Sequence, residues 1–167
     1  TMSGQAFFDQ PATAQALAAH KLPGYFIDFE TIQFGVPLWK GTRPYQQLPF
    51  QFSVHRLGRT GRATHQAFLD LSGGNPSLAF AQALVAACGE RGPVFVYNAA
   101  FETTRIRELA ERHPRLAIAL RAINDRVVDL LPIARQHYYH PSQQGSWSIK
   151  AVLPALCPEL HYDALDG

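Results

Sequence analysis

Apolar positions first become regular at Ala12–Ala19, an alanine-rich stretch that predicts a short helix closed off by Pro23-Gly24. Tyr25-Phe26-Ile27-Asp28-Phe29 is aromatic and β-branched and predicts a strand. From Gly35 to Pro49 the prolines at 37, 44 and 49, with Gly41, forbid regular structure. Phe50, Phe52 and Val54 then alternate with Gln51, Ser53 and His55, so Phe50–Leu57 reads as a second strand. Gly58–Arg62 is a turn, and Ala63–Leu69 returns as a third strand in an antiparallel hairpin.

The period changes after Asn75-Pro76-Ser77. Leu78, Ala81, Leu84, Val85 and Cys88 recur at helical spacing and stop at Gly89. Val94–Tyr97 is a short buried strand, followed by a helix from about Ala100 to His113 that Pro114 stops. Leu116, Ala119, Leu120 and Ile123 mark another helix. Val127–Leu131 is either a last short strand or a strand-to-helix turn. Ser148 caps a final helix carrying Ile149, Val152 and Leu156, shortened or kinked by Pro154. Antiparallel strands followed by strand–helix units predict an α/β fold, a mixed sheet with helices on its faces. No repeat or low-complexity segment divides the chain, and residues 5–167 are expected to form one domain, a fragment of a larger protein.

Composition adds little to this pattern. Hydrophobic residues at 47% and charged residues at 17% indicate a folded soluble chain. Fifteen Lys and Arg against thirteen Asp and Glu leave a net charge of +2, which neither requires nor excludes a polyanionic partner. Cys88 and Cys157 lack metal-ligand spacing and are expected as small buried hydrophobes. The N-terminus shows no secretory pattern and no apolar run approaches a membrane span, so a cytoplasmic location is expected.

The chemistry lies at two strand ends. Side chains alternate along a strand, so Asp28 and Glu30 project from one face of the first strand. Paired carboxylates repel unless a cation lies between them, and hard oxygen ligands suit Mg²⁺ or Mn²⁺. An exposed edge-strand pair is the alternative. Val94–Tyr97 ends in Asn98 and turns into a helix whose first turn holds Glu102, where the macrodipole and free N–H groups favour a negative charge. Arg105 and Arg107 near Glu102 offer cations to phosphates, with solvated helix-surface charges as the alternative. His137 and His140 have the spacing of a metal pair but no third ligand nearby, which favours a loop or packing role.

Asp28-x-Glu30, followed some seventy positions later by Asn98-x-x-Phe101-Glu102, resembles the first two motifs of the DnaQ-like (DEDD) 3′–5′ exonucleases, which have a ribonuclease H-like fold. That family usually carries Asp where this chain has Glu102. The resemblance implies two Mg²⁺ or Mn²⁺ ions, with Asp28 bridging them, Glu30 binding one and positioning the terminal nucleotide, and Glu102 with a C-terminal acid completing the set. It also implies a structural rather than a ligating role for Asp129. The third motif places its acid four or five residues after a Tyr or His that orients the attacking water. His161 and Asp166 meet the longer spacing, and Tyr162 and Asp166 the shorter. Asp166 is thus the expected last metal ligand and His161 the expected general base, with Asp163 or an acid beyond Gly167 as alternatives.

A resemblance over nearly the whole chain rests on Asp28–Thr31, the run Pro44–Ser53 with His55, Tyr97–Glu102 and Gly145–Lys150. These segments are similar to a bacterial domain-of-unknown-function family akin to the exonucleases and found also as the C-terminal part of larger RecB-like nuclease proteins. Thr31, Tyr45, Gln47, Gln51, Asn98 and Phe101 are the expected substrate contacts. Tyr45 and Phe50 offer stacking surfaces, and Gln47 and Gln51 offer amides able to reach bases or sugars, with Phe50 and Phe52 as core and the glutamines bonded to neighbouring backbone as the alternative. The expected function is a divalent-metal-dependent 3′–5′ exonuclease on DNA or RNA, with single-stranded nucleic-acid ends as partner and a RecB-like nuclease domain in the same or a partner chain. The alternatives are a catalytically degenerate module that binds nucleic acid or docks onto a partner nuclease, and a hydrolase of oligonucleotides or small phosphoesters.

Overall fold

A computed structural model of the chain describes residues 5–148 and residue 152. In chain order its elements are β1 (Phe7–Phe8), α1 (Gln10–Ala18), β2 (Gly24–Ile32), β3 (Leu48–Leu57), β4 (Ala63–Leu69), α2 (Ser77–Cys88) and β5 (Val94–Val96). There follow α3 (Ala100–Arg112), α4 (Ala117–Asn124), β6 (Val127–Asp129), α5 (Leu130–His137) and β7 (Tyr138–Tyr139), with short 3₁₀ turns at Pro114–Leu116 and Pro141–Gln143. These elements form two compact units, His20–Asp129 and a smaller one made from the stretches on either side of it.

The larger unit is built on a five-stranded mixed sheet in the order β4-β3-β2-β5-β6. β2, β3 and β4 are antiparallel neighbours, whereas β5 runs parallel to β2 and β6 parallel to β5. The hairpin expected from the alternating run at 50–57 is present, with Val54 opposite Gln66 and Phe52 opposite Phe68. The open reading of 127–131 resolves into a strand, β6, running directly into α5.

Period-two alternation sorts the two faces of the sheet. Tyr25, Ile27 and Phe29 of β2, Val54 of β3 and Val94 and Val96 of β5 point into a core capped by α2, α3 and α4. Phe80 of α2 is its hub, meeting Phe29, Phe52 and Phe68 edge-on at 5.1–5.8 Å between ring centres. Burying such a ring stabilises the fold by roughly 1.5–3 kcal/mol, and edge-to-face pairs add to that. Cys88 is fully buried in this core, as expected, and burial pushes its thiol pKa up to about 12. The opposite face of β2 carries Phe26, stacked on Phe95 at 4.8 Å, and beyond it Asp28 and Glu30.

In the smaller unit, β1 pairs antiparallel with β7 and Phe8 meets Tyr138 edge-on at 5.8 Å. Asp9 caps α1 by accepting the Ala12 N–H at 2.9 Å. Among the described residues no helix is long and apolar enough to cross a membrane. His161, Asp163 and Asp166, Cys157, and all of the expected final helix except its start and Val152 lie outside the described residues.

Candidate functional site

β2 delivers Asp28 and Glu30 to one face because Tyr25, Ile27 and Phe29 are taken by the core. Asp28 stands directly opposite Ser53 of β3, and Glu30 directly opposite Gln51. Gln51 and Glu30 are therefore cross-strand neighbours, close enough for their side chains to interact. The register shifts between Glu30 and Thr31, so that Thr31 faces Pro49 and Phe50 falls out of the pairing. Pro49 cannot donate to the ladder, which explains an irregularity there, and such bulges re-aim the side chains beside them. Much of Asp28 is open to solvent, yet burial raises its pKa against the lowering effect of the Phe29 N–H.

The second strand end is held by Asp129. Its carboxylate accepts the backbone N–H of Asn98 at 3.0 Å and that of Ala99 at 3.1 Å. Ala99 caps α3 without a side-chain acceptor of its own, so Asp129 of β6 supplies the missing cap from a neighbouring strand. Asn98 has a φ of +66°, a left-handed conformation that asparagine tolerates better than most residues. The turn between β5 and α3 is thereby fixed by one carboxylate and one permissive residue. Asp129 is engaged in these two backbone hydrogen bonds.

This turn sets Glu102 in the first turn of α3, only 4% exposed. Its Oε2 atom is buried and has no hydrogen-bond partner. The Glu102 pKa is raised to about 7, chiefly by burial, with its own N–H opposing the rise and the charges of Asp28 and Asp129 contributing to it. Asp28 of β2, Glu102 of α3 and Asp129 of β6 thus share one electrostatic field. The charges acting on Glu102 are those of Asp28 and Asp129; Glu30, one pleat beyond Asp28, stays exposed.

The expected substrate contacts fall into two groups. Tyr45, 72% exposed with a φ of +55°, lines a cleft of about 330 Å³ together with Arg43, Gln47, Arg105 and Glu108. Arg105 organises it: the guanidinium donates to Gln47 Oε1, pairs with Glu108 at 3.1 Å and lies over the Phe101 ring at 5.6 Å. Tyr45, Gln47 and Phe101 are brought together in this way. Gln51 stands instead beside Glu30, Thr31 lies half-buried past the bulge, and Asn98 is committed to the turn. Arg105 was offered by the sequence as a phosphate contact, but its partner Gln47 lies 58 positions away and leaves no local signal. His140 caps a 3₁₀ turn, its Nδ1 accepting the Ser142 N–H at 3.2 Å, a loop role.

Among the described residues no three His, Cys, Asp or Glu side chains converge closely enough to hold a metal ion. What the site does hold is a buried Glu102 oxygen that lacks any protein donor, within the electrostatic field of Asp28.

No curated protein and no solved structure matches the chain at a significant level. A family model described as "Domain of unknown function (DUF2779)" matches residues 25–148, a span that holds Asp28, Glu30, Asn98, Glu102 and Asp129 together with the Tyr45–Arg105 cleft. The chain therefore belongs to the DUF2779 family.

Proposed function

We propose that this chain is a divalent-metal-dependent 3′–5′ exonuclease domain of ribonuclease H-like fold that hydrolyses phosphodiester bonds in DNA or RNA. One observation carries the reading. A carboxylate lies buried at the first turn of α3, one oxygen unpartnered, within the field of two other acids. Buried polar atoms without partners are rare, and a buried acid left to itself is stabilised by staying protonated. A hard cation shared with Asp28 removes both penalties. The sheet supports the fold reading, since an antiparallel hairpin is followed by parallel strands, with acids on β2 and beyond β5.

Asp28, Glu30 and Glu102 are the residues assigned to hold Mg²⁺ or Mn²⁺, with the C-terminal acid Asp166 or Asp163 completing the set and His161 as the base. Bound metal supplies a nucleophilic water at neutral pH and stabilises the leaving oxygen. The chain's own residues do the rest. Asp129 holds the turn that aims Glu102, Gln51 stands beside Glu30 where a terminal nucleotide would bind, and Tyr45 offers a face for a base to stack on.

A second reading, a degenerate module that binds nucleic acid without cutting it, draws on the same acid. Glu102 with a pKa of about 7 is largely protonated below neutrality, as a structural buried acid would be. Incubation of the full chain with 3′- and 5′-labelled single strands and Mn²⁺, beside Asp28→Ala, separates the two. Metal-dependent shortening from the 3′ end, absent in the variant, is expected; equal residual activity in both, or none in either, leaves the degenerate module standing.

A further inference from the structure

The near-balance of charge over the whole chain hides a segregation. From Thr31 to Leu69 there is no acid, while Lys40, Arg43, Arg56, Arg59 and Arg62 give that stretch a local charge of +5 with His neutral. Three of these cations meet at the turn end of the β3–β4 hairpin. Arg56 on β3, opposite Thr64, and Arg59 and Arg62 in the turn line a cavity of about 440 Å³ with Pro23, Thr60 and Thr64.

The turn enforces this crowding. The Gly58 N–H donates to the Arg62 carbonyl at 2.8 Å and the Gly61 N–H to the Gly58 carbonyl at 3.0 Å, with Gly61 at a φ of +78°. Arg59 is anchored across to the start of β2 by its Nε, which donates to the Leu22 carbonyl at 3.1 Å. No acid lines the cavity, and among the described residues none of the three arginines makes an ion pair. Like charges gathered without a counterion disfavour the fold, and a bound anion reverses that.

Guanidinium forks and threonine hydroxyls form a donor set that matches phosphate oxygens, and an arginine binds them bidentately. All five of these side chains belong to exposed residues, so the site takes a phosphate presented along a chain rather than one enclosed in a pocket. We propose that the hairpin cavity is a phosphate-binding site that grips the backbone of a nucleic-acid strand. It is separate from the carboxylates: Arg56 stands opposite Tyr25 on the core-facing side of the sheet, whereas Asp28 is three residues further along β2, roughly 10 Å at ~3.3 Å per residue, and projects from the other face. Gripping a strand there does not require that the strand be cut.

The test is the salt dependence of binding of a labelled oligothymidylate to the full chain, to Arg56→Gln/Arg59→Gln/Arg62→Gln and to Asp28→Ala. Loss of three phosphate contacts flattens the slope of log affinity against log salt by about 2, at ~0.7 per contact on a single strand. Between about 50 and about 200 mM salt the wild type then loses roughly twentyfold more affinity than the triple variant. Arg62→Gln alone, the safeguard should the triple variant fail to fold, flattens the slope by about 0.7. The slope is read without added divalent metal and Asp28→Ala reports metal-dependent cleavage alone, so failure of the arginine site and failure of the nuclease reading are seen separately. If the triple variant keeps the oligonucleotide slope but loses a rise in melting temperature that inorganic pyrophosphate gives the wild type, the site serves free phosphates and the strand proposal is overturned. Unchanged slopes with no pyrophosphate effect overturn the site altogether.

Discussion

Asp129 and Asn98 lie on different elements, and the carboxylate of the first accepts the backbone N–H of the second at 3.0 Å. With the companion bond to Ala99 it closes the turn from which α3 starts, and therefore fixes where Glu102 stands. The candidate site depends on this relationship as much as on its own acids.

Replacing Asp129 tests it. Asp129→Ala leaves two N–H groups without their charged acceptor and costs about 2 kcal/mol. For a chain of this size that is a fall in Tm of about 4–8 °C. Removing a negative charge that acts on Glu102 also lowers the Glu102 pKa, readable by carboxyl NMR titration. An unchanged Tm would contradict the capping role.

The pH dependence of stability has a defined sign. Unfolded Glu102 releases its proton near 4.5 and folded Glu102 near 7, so the folded state binds more protons between these values. Stability is fully present below the lower value and falls as pH rises through the upper one; the raised pKa of Asp28 acts in the same direction. Glu102→Gln is expected to flatten the curve and to be more stable than the wild type at pH 8 by about 1–2 kcal/mol, with the two converging near pH 5. Mn²⁺ should restore the wild type at pH 8 and leave the variant unmoved. Parallel melting curves across the range would contradict the assignment.

Gly92 holds a second turn, at the entry to β5. Its φ is +101°, and an added Cβ would come within 2.0 Å of the Pro23 carbonyl oxygen. Backbone must move to make room, so Gly92→Ala is expected to cost about 2–4 kcal/mol, measured by urea unfolding.

Tyr45 separates binding from stability. Its ring is mostly exposed, so Tyr45→Ala should leave Tm within about 1–2 °C of the wild type. Loss of one stacked base weakens single-strand binding by about 1–3 kcal/mol, read by fluorescence anisotropy. Wild-type affinity in this variant would remove the Arg105-organised cleft from the substrate path.

Much of this architecture was legible in the sequence. The alternation at 50–57 and the helical spacing from Leu78 to Cys88 each describe one buried face, and β3 and α2 follow. β1 and β7 are two residues each, too short to carry a period, and their pairing joins segments from opposite ends of the chain. α5 was hidden by Pro132, which ordinarily breaks helices but here sits in the first turn, where its missing N–H is not needed. In the site, Asp28 and Glu102 could be read because one follows the aromatic run of a buried strand and the other follows a buried strand, although β2 runs on past Asp28 to Ile32 instead of ending there. The bulge that turns the chain after Glu30 and the Arg105–Gln47 contact could not, since both depend on pairings between distant segments.

The central claim is that Asp28 and the buried Glu102 carboxylate hold a divalent cation together. Calorimetric titration of the full chain with Mn²⁺ at pH 8 tests it most directly, beside Asp28→Asn and Glu102→Gln. The expected result is saturable binding by the wild type, accompanied by proton release and lost or weakened at least tenfold in either variant. Equal Mn²⁺ binding by all three proteins, or none by the wild type, would contradict it.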